Sequence, residues 1–510
     1  MLRCTASYHQ ESISMFQGNP LIEALPPRVE EDEIIKQLQH RPPYSEDQRL
    51  ASREDRGMLV QILLRLFQPF EKDIDIYRRI ERCIRWAYAD RNPFNPAFIR
   101  QQQHEYRAQL QKASAIPYTQ SYPTTSGFAL LGISGLGKST TLQHVLHRYP
   151  QVIEHSSYHG VPFNETQITW IHMDCPNDGS LKGLCSSFFE QIDNLLGTSY
   201  QAQYSKKKAD LNTMQAAMAR IARTYHLGVL CLDEIQALAV AKDATIPVKT
   251  LNFLVNLVNT IGVPVILVGT PRALSFLQKE FQQAKRACGQ GDALWSHMEN
   301  DYVWRMFVKS IWKYQYTRNV VPLTDEMYNA LFEEAVGIPF LAVNIYKLVQ
   351  EYAIYSGEEV FSPHSFHAVA SQKMRLTKEM RSALRSGKDV NLNQYLDLTS
   401  FHMDDFKLAA KQDVNPTEVP APAPVAKPDL REAAVLALQA FGIDRFSAIQ
   451  YVNRAIARLP ACSHSEILAR EAYGDYLQDT STKLSSINQA ITPQLHKGHA
   501  ENLSAGLIGL

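Results

Sequence analysis

The sequence predicts an α/β domain with a doubly wound parallel sheet, set between helical segments of the same chain. Three observations predict it. Short apolar runs at GFALLG (127–132), ITWIHMD (168–174), GVLCLD (228–233) and VPVILVG (263–269) alternate with stretches of helical period at 181–196, 209–226 and 248–260. Runs apolar at nearly every position suit strands buried on both faces, as crossover helices require. The first run passes directly into a glycine-rich turn and then a helical pattern, and the third ends in two adjacent carboxylates, Asp233 and Glu234. Ligands in open α/β sheets bind at the carboxyl ends of the strands, which is where both features fall.

With 510 residues the chain exceeds one compact core, and about three or four units are expected. Hydrophobic residues make up 45% and charged residues 20%, the balance of a globular protein. The 52 basic and 52 acidic side chains cancel, so any nucleic-acid contact must come from a local patch and not from bulk charge. The seven cysteines (4, 83, 175, 185, 231, 288 and 462) form no C-x-x-C pair, which argues against a zinc module or a disulfide framework and fits a reducing compartment. No apolar run reaches the ~18 residues of a membrane span. The opening MLRCTASYHQES lacks the apolar stretch of a secretion signal. A cytoplasmic protein with no membrane partner is expected.

Residues 1–125 read as a helical N-terminal adaptor region, with Pro-Pro breaks at 26–27 and 42–43. Ser45 is placed to cap a helix running through SEDQRLASREDRGMLVQILLRLF, whose apolar face would be Met58, Leu59, Ile62, Leu63 and Leu66. A second helix is expected over 76–90, and nothing in this region reads as catalytic. Residues 126–320 form the α/β core. Residues 321–410 read as a helical bundle and a basic segment: TDEMYNALFEEAVG, PFLAVNIYKLVQEYAIYSG and SPHSFHAVASQ, the first two stopped by Gly337 and Gly357. A Pro/Ala linker follows at 411–429, and then a helical tail, 430–510, whose last ~30 residues look weakly structured.

The turn at 132–139, Gly-Ile-Ser-Gly-Leu-Gly-Lys-Ser, has the G-x-x-x-x-G-K-S spacing of a phosphate-binding loop. Glycines let backbone N–H groups wrap a phosphate, and the helix that follows aims its positive end at the same place. Gly132, Gly135, Leu136, Gly137, Lys138, Ser139 and Thr140 would hold ATP. Lys138 would meet the β- and γ-phosphates, and the Ser139 hydroxyl would ligate Mg²⁺. Asp233 would hold that ion through water, and Glu234 would polarise the attacking water. Two carboxylates at a buried strand end are costly without such a role. Thr270, ending VPVILVGT, can sense the γ-phosphate or feed the turn at Pro271. A cation on the transferring phosphoryl group favours hydrolysis. Arg286, after a helical stretch, is the first candidate, with Lys285 and Arg305 as competitors.

The loop, the Asp-Glu strand end, the threonine strand end, the downstream arginine and the helical lid together resemble the AAA+ ATPases. Within them the chain is similar to the TnsC/TniB transposition ATPases, and to the long TnsC form in particular. The residues that carry this are LLGISGLGKSTTL (130–142), HMDCPNDGSLKGLCSSFFEQID (172–193), GVLCLDEIQAL (228–238), VILVGTPRAL (265–274) and the lid 321–360, with RPPYSEDQRLASREDRG (41–57). The resemblance implies a bacterial ATPase that assembles on double-stranded DNA as a ring, heptameric in form, or as a filament. It further implies recruitment by a target selector of TnsD/TniQ type, hand-over to the transposase subunits TnsA and TnsB, and release on hydrolysis. A lid arginine would be usual as second sensor; GIPFLAVNIYK has none, and Lys347 is the nearest cation.

DNA contact would fall to Lys206, Lys207 and Lys208, or to a helical stripe containing Arg375, Lys378, Arg381, Arg385 and Lys388. Both are equally readable as solvated surface. Lys182 and Lys249 are added by the resemblance. The tethered tail reads as a docking module for a transposase subunit. Other classes are a replication loader or origin-recognition ATPase, a STAND signalling ATPase and a scaffold that binds ATP without cleaving it. The winged helix, sensor domain or missing Glu234 that each would need is not seen in the sequence.

Overall fold

The computed structural model describes residues 3–100, 103, 126–205, 210–240, 250, 252–254, 258, 262–274, 277 and 289–386 of one compact unit. It also describes residues 431, 434–435, 438, 443, 445–459, 467–476 and 478 of a second. The units span Met1–Ala409 and Ala410–Leu510.

In chain order the strands are β1 (Arg3–Thr5), β2 (Phe128–Gly132), β3 (Val152–Tyr158), β4 (Val161–Ile168), β5 (Trp170–Asp174), β6 (Val229–Asp233), β7 (Val265–Gly269) and β8 (Ala293–Trp295). Five of them form a sheet in the order β5-β6-β7-β2-β8, every pairing parallel. All four predicted strands belong to it. Their residues alternate between two apolar layers. Phe128, Leu130, Val229, Cys231, Ile266 and Val268 face one; Ala129, Leu131, Leu230, Leu232, Val265 and Leu267 face the other. Both faces are covered, which is why the runs are apolar at nearly every position, with Asp174 and Asp233 only at the strand ends.

The second layer holds the helices Leu181–Leu196 and Leu211–Thr224. The first holds the helix Lys138–Leu146, the N-terminal helix Glu71–Ala89 and the lid helices Asp325–Ala335, Pro339–Ser356 and Pro363–Lys373. The three lid helices fall where the sequence predicts them. The first ends on Val336, itself left-handed, with Gly337 behind it.

The N-terminal region departs from expectation in three ways. The long helix predicted after Ser45 is a chain of short pieces, Glu46–Leu50, Arg53–Leu59 and Val60–Arg65, and Met58 on its predicted apolar face is exposed. Its buried residues are Arg56, Gly57, Val60 and Leu63, with Arg56 bonded to Glu359 and Gly57 packed against Tyr355. Next, β1 adds a strand to a region read as helical: it pairs in parallel with β3, which forms a hairpin with β4. Finally, residues 16–88 share one apolar cluster with the sheet and the lid. The hairpin turns at His159 and Gly160, both at positive φ, the geometry of a tight two-residue turn. Its uneven polar pattern, with a register shift between His155 and Ser157, hid it.

The second unit has a small apolar core of its own, with Val435, Leu438 and Ile443 beside Val452 and Ala455 of the helix Arg445–Arg458. The linker 411–429 and residues 479–510 lie outside the described residues.

Candidate nucleotide site

A cavity of about 490 Å³ opens at the carboxyl end of the sheet. Three strand ends meet there. After β2 the chain turns through Ser134–Gly137 and enters the helix that begins at Lys138. Gly137 caps it at φ +94°, a conformation that a side chain would strain. Lys138 is buried, and its ammonium donates to the Gly132 and Ile133 carbonyls at 2.7 and 3.0 Å. The Ser139 hydroxyl donates to Asp233 Oδ2 at 2.5 Å. The Glu234 N–H donates to Oδ1 of the same carboxylate at 2.8 Å. One turn and one strand end, far apart in sequence, are thereby joined through Asp233.

Burial alone would raise the Asp233 carboxyl. Nearby His172, the Ser139 hydroxyl and the Glu234 N–H outweigh it and hold the pKa below the ordinary aspartate value. His172 Nε2 stands 3.7 Å from Oδ2, too far for a hydrogen bond but near enough to favour the charge. Hard oxygen donors from a hydroxyl and an ionised carboxylate suit Mg²⁺. His172 and Asp174 of β5 bring further donor atoms within 4.8 Å of those of Asp233.

Thr270 follows β7, which lies between β6 and β2, and it lines the cavity beside Asp233 and Glu234. Gln236, absent from the sequence reading, joins them. Its amide donates to the Glu234 carboxylate, and its carbonyl accepts from the Thr270 N–H at 3.1 Å.

The far wall of the cavity is apolar and was not foreseen. It comprises Leu63, Leu66, Phe67 and Phe70 from the N-terminal region, Met298 and Phe307, and Pro339, Phe340 and Val343 from the lid. The N-terminal helix is fixed at two points, one to the phosphate-binding loop and one to the helix that follows it. Asp73 accepts from Thr141 at 2.5 Å. Lys72 reaches the Leu136 carbonyl at 3.5 Å and lies 4.4 Å from the centre of the Trp295 ring. Burial drives this pair toward neutrality, raising Asp73 and lowering Lys72. The lid is tied in by its own backbone, the Phe340 N–H donating to the Gly135 carbonyl at 3.2 Å. Lys72 and Lys138 are the cations among the described lining residues.

A match to the AAA domain family covers residues 124–277. This region is an AAA domain. The parallel sheet around it, with helices on both faces, is the AAA+ P-loop fold. No curated protein matches the chain in sequence. Among solved structures, the chain is similar to the ORC2 protein of Aeropyrum pernix, at 14% identity over 61% of this chain and 84% of that one, with a TM-score of 0.32. A Walker-type ATPase of Pyrococcus abyssi is matched at 14% identity, 62% and 89% coverage and a TM-score of 0.34. The Cdc6p of Pyrobaculum aerophilum gives 12%, 78% and 89%, with a TM-score of 0.34. Likenesses this distant decide nothing about function.

Outside the AAA domain's strand ends, the sequence expectations fare unevenly. Arg381, expected on a DNA-facing stripe, is 3% exposed. It pairs with Glu334 and donates to the Ala370 carbonyl at 3.0 Å. Arg385 also reaches Glu334, at 3.0 Å. The regular spacing that suggested a stripe thus serves partly to bolt the helix Lys378–Ser386 to the lid. Arg375 and Lys378 are exposed, and Lys182 is half-buried near the start of its helix. Lys347 faces Gln61, at 3.1 Å, and not the cavity. Arg305 is paired with Asp325 at 2.5 Å. Arg286, Lys285, Lys206, Lys207, Lys208, Lys249 and Lys388 lie outside the described residues.

Proposed function

We propose that this chain is a Mg²⁺-dependent ATPase that assembles with further copies on double-stranded DNA in its ATP form and releases on hydrolysis. It would serve DNA transposition by linking a target selector of TnsD/TniQ type to a TnsA/TnsB transposase. The observation that carries the ATPase reading is the 2.5 Å hydrogen bond from Ser139 to Asp233, beside a lysine resting on the carbonyls of its own loop. A hydroxyl, a charged carboxylate and a movable ammonium converge where a triphosphate's charge would need them. The transposition reading is supported by the sequence resemblance over 125–370.

In this reading the backbone N–H groups of Ser134–Ser139 take the phosphates. Lys138 leaves the Gly132 and Ile133 carbonyls for the β- and γ-phosphate oxygens. Ser139 and Asp233 would hold Mg²⁺, which when bound neutralises charge on the phosphate chain. Glu234 orients the attacking water and accepts its proton. Thr270 fixes the water or the γ-phosphate from the β7 end. The apolar wall takes the base. Arg286 of a neighbouring copy would complete the site.

Electron microscopy of the chain on linear duplex DNA tests this. Rings or filaments are expected with ATP or a slowly hydrolysed analogue, and not with ADP. Lys138→Ala should abolish them, and Glu234→Gln should preserve them in ATP while lowering turnover about 100-fold or more. Monomers under every condition would overturn the assembly reading, and wild-type turnover in Glu234→Gln would overturn the catalytic assignment. A TnsB-type transposase should release the DNA-bound form; indifference to it would remove the transposition reading.

A further inference from the structure

Gln236 touches two of the three strand-end elements and has no part in the mechanism above. Its amide N–H donates to the Glu234 carboxylate, and its amide oxygen accepts from the Thr270 N–H at 3.1 Å. A primary amide has separate donor and acceptor ends, and both are in use here. Glu234 itself sits at φ +56°, a left-handed conformation that a side-chain-bearing residue holds only when its surroundings impose it. The short turn Ile235–Val240 starts immediately after it. The end of β7 is shaped to admit the amide. A Cβ on Gly269 would come within 2.9 Å of Gln236 Oε1 and 2.7 Å of Ile235 Cγ1. Glycine at 269 leaves room for Gln236 to cross from β6 to β7.

We propose that Gln236 is a positioning residue for Glu234. It directs the carboxylate by holding one oxygen and anchoring itself to the β7 backbone at Thr270. A glutamate side chain with three free torsions can miss the attacking water by an ångström or more, and misplacement of that size costs about 100-fold in rate. The run of hydrogen bonds from Ser139 through Asp233 and the Glu234 backbone then continues through Gln236 to Thr270. Any shift of the β7 end is passed to the direction of the carboxylate. The inference rests on the assignment of Glu234 as the residue that activates water.

Steady-state ATP hydrolysis and ATP affinity, measured on the full chain with Gln236→Ala, Gln236→Glu and Glu234→Gln, test it. Gln236→Glu matters most, because it keeps the size of the side chain and an acceptor for the Thr270 N–H but loses the donor to Glu234. Both Gln236 variants should lower kcat at least tenfold with ATP affinity changed less than threefold. In a Glu234→Gln background, Gln236→Ala should change the residual rate less than twofold, since it acts through the carboxylate. If Gln236→Glu turns over at the wild-type rate, the amide serves only to support the Thr270 turn and the proposal falls. It falls equally if the Gln236→Ala and Glu234→Gln losses multiply. Should Glu234→Gln itself hydrolyse ATP normally, the assignment of Glu234 fails first, an outcome separate from the other two.

Discussion

The two ends of the cavity are built on different plans. At the strand-end wall, each functional residue arrives inside a local pattern: a buried strand, a glycine turn and a helix for Lys138 and Ser139, or a buried strand closing on two acids for Asp233 and Glu234. At the opposite wall, Leu63, Phe67 and Phe70 meet Pro339, Phe340 and Val343 from a distant part of the chain. Phosphate chemistry dictates spacing, because several donors must converge on one group. An apolar wall dictates only that its members be apolar. The first end is rigid by construction, through hydrogen bonds that link neighbouring strands. The second depends on whatever holds the N-terminal region to the lid, and three changes probe that dependence.

The largest effect is expected where the two segments of the far wall are strapped together. Arg56 is 1% exposed and meets Glu359 with two hydrogen bonds of 2.7 and 2.6 Å while donating to the Tyr316 carbonyl at 2.9 Å. Truncating one member of a buried pair costs about 3–5 kcal/mol. Glu359 keeps part of its hydration, so Arg56→Ala should cost about 3 kcal/mol in urea unfolding, with weaker ATP binding. Arg56's hydrogen bonds, ahead of the opposing effect of burial, hold the Glu359 carboxyl below the ordinary glutamate value of 4.5. A depressed carboxyl contributes stability that is full above that value and is lost as pH falls through the lower, folded one. Arg56→Ala should therefore flatten the acid limb of the stability profile below about pH 4.5. Unchanged stability together with unchanged ATP affinity would mean that the far wall stands without its strap.

Next comes the seam between the two ends. Thr141→Val preserves shape and leaves the buried Asp73 Oδ1 without its 2.5 Å donor. A hydrogen bond to a charged group is worth about 1.5–3 kcal/mol; burial raises Asp73, so a loss near 2 kcal/mol is expected by thermal or urea unfolding. ATP and ADP should weaken together, because the seam supports the loop and not the γ-phosphate. A change in ATP affinity alone would tie Asp73 to the strand-end wall.

What the sequence made legible follows this division. The four apolar runs became the four long strands of the main sheet because two-sided burial leaves a run of uniform composition. The lid helices were readable from their helical period and from the stops Gly337 and Gly357. Lys72 and Asp73 were not readable, since a lysine and an aspartate at the start of a helix look like solvated first-turn charges. Their roles depend on where Thr141 and Leu136 arrive. Gln236 carried a signal of sorts, two residues past the acidic pair, but its partner Thr270 enters from another strand. Arg381 misled for the reverse reason. Helical spacing of basic residues is the same for a DNA-facing stripe and for a helix pinned by Glu334, and only the position of the lid distinguishes them.

The smallest effect should come from Phe340, which lines the apolar end yet is 58% exposed. Its contribution to the loop is a backbone one, the 3.2 Å hydrogen bond to the Gly135 carbonyl, and Phe340→Ala leaves that bond in place. What is removed is one aromatic face against a base, worth about 1 kcal/mol, or about a fivefold loss of affinity. Because a base is common to ATP and ADP, both should weaken by the same factor in titration calorimetry, with kcat at saturating ATP unchanged. If ATP weakens while ADP does not, Phe340 reads the γ-phosphate from the lid side. The division of the cavity into a phosphate wall and a base wall would then fail at a residue where lid and loop touch.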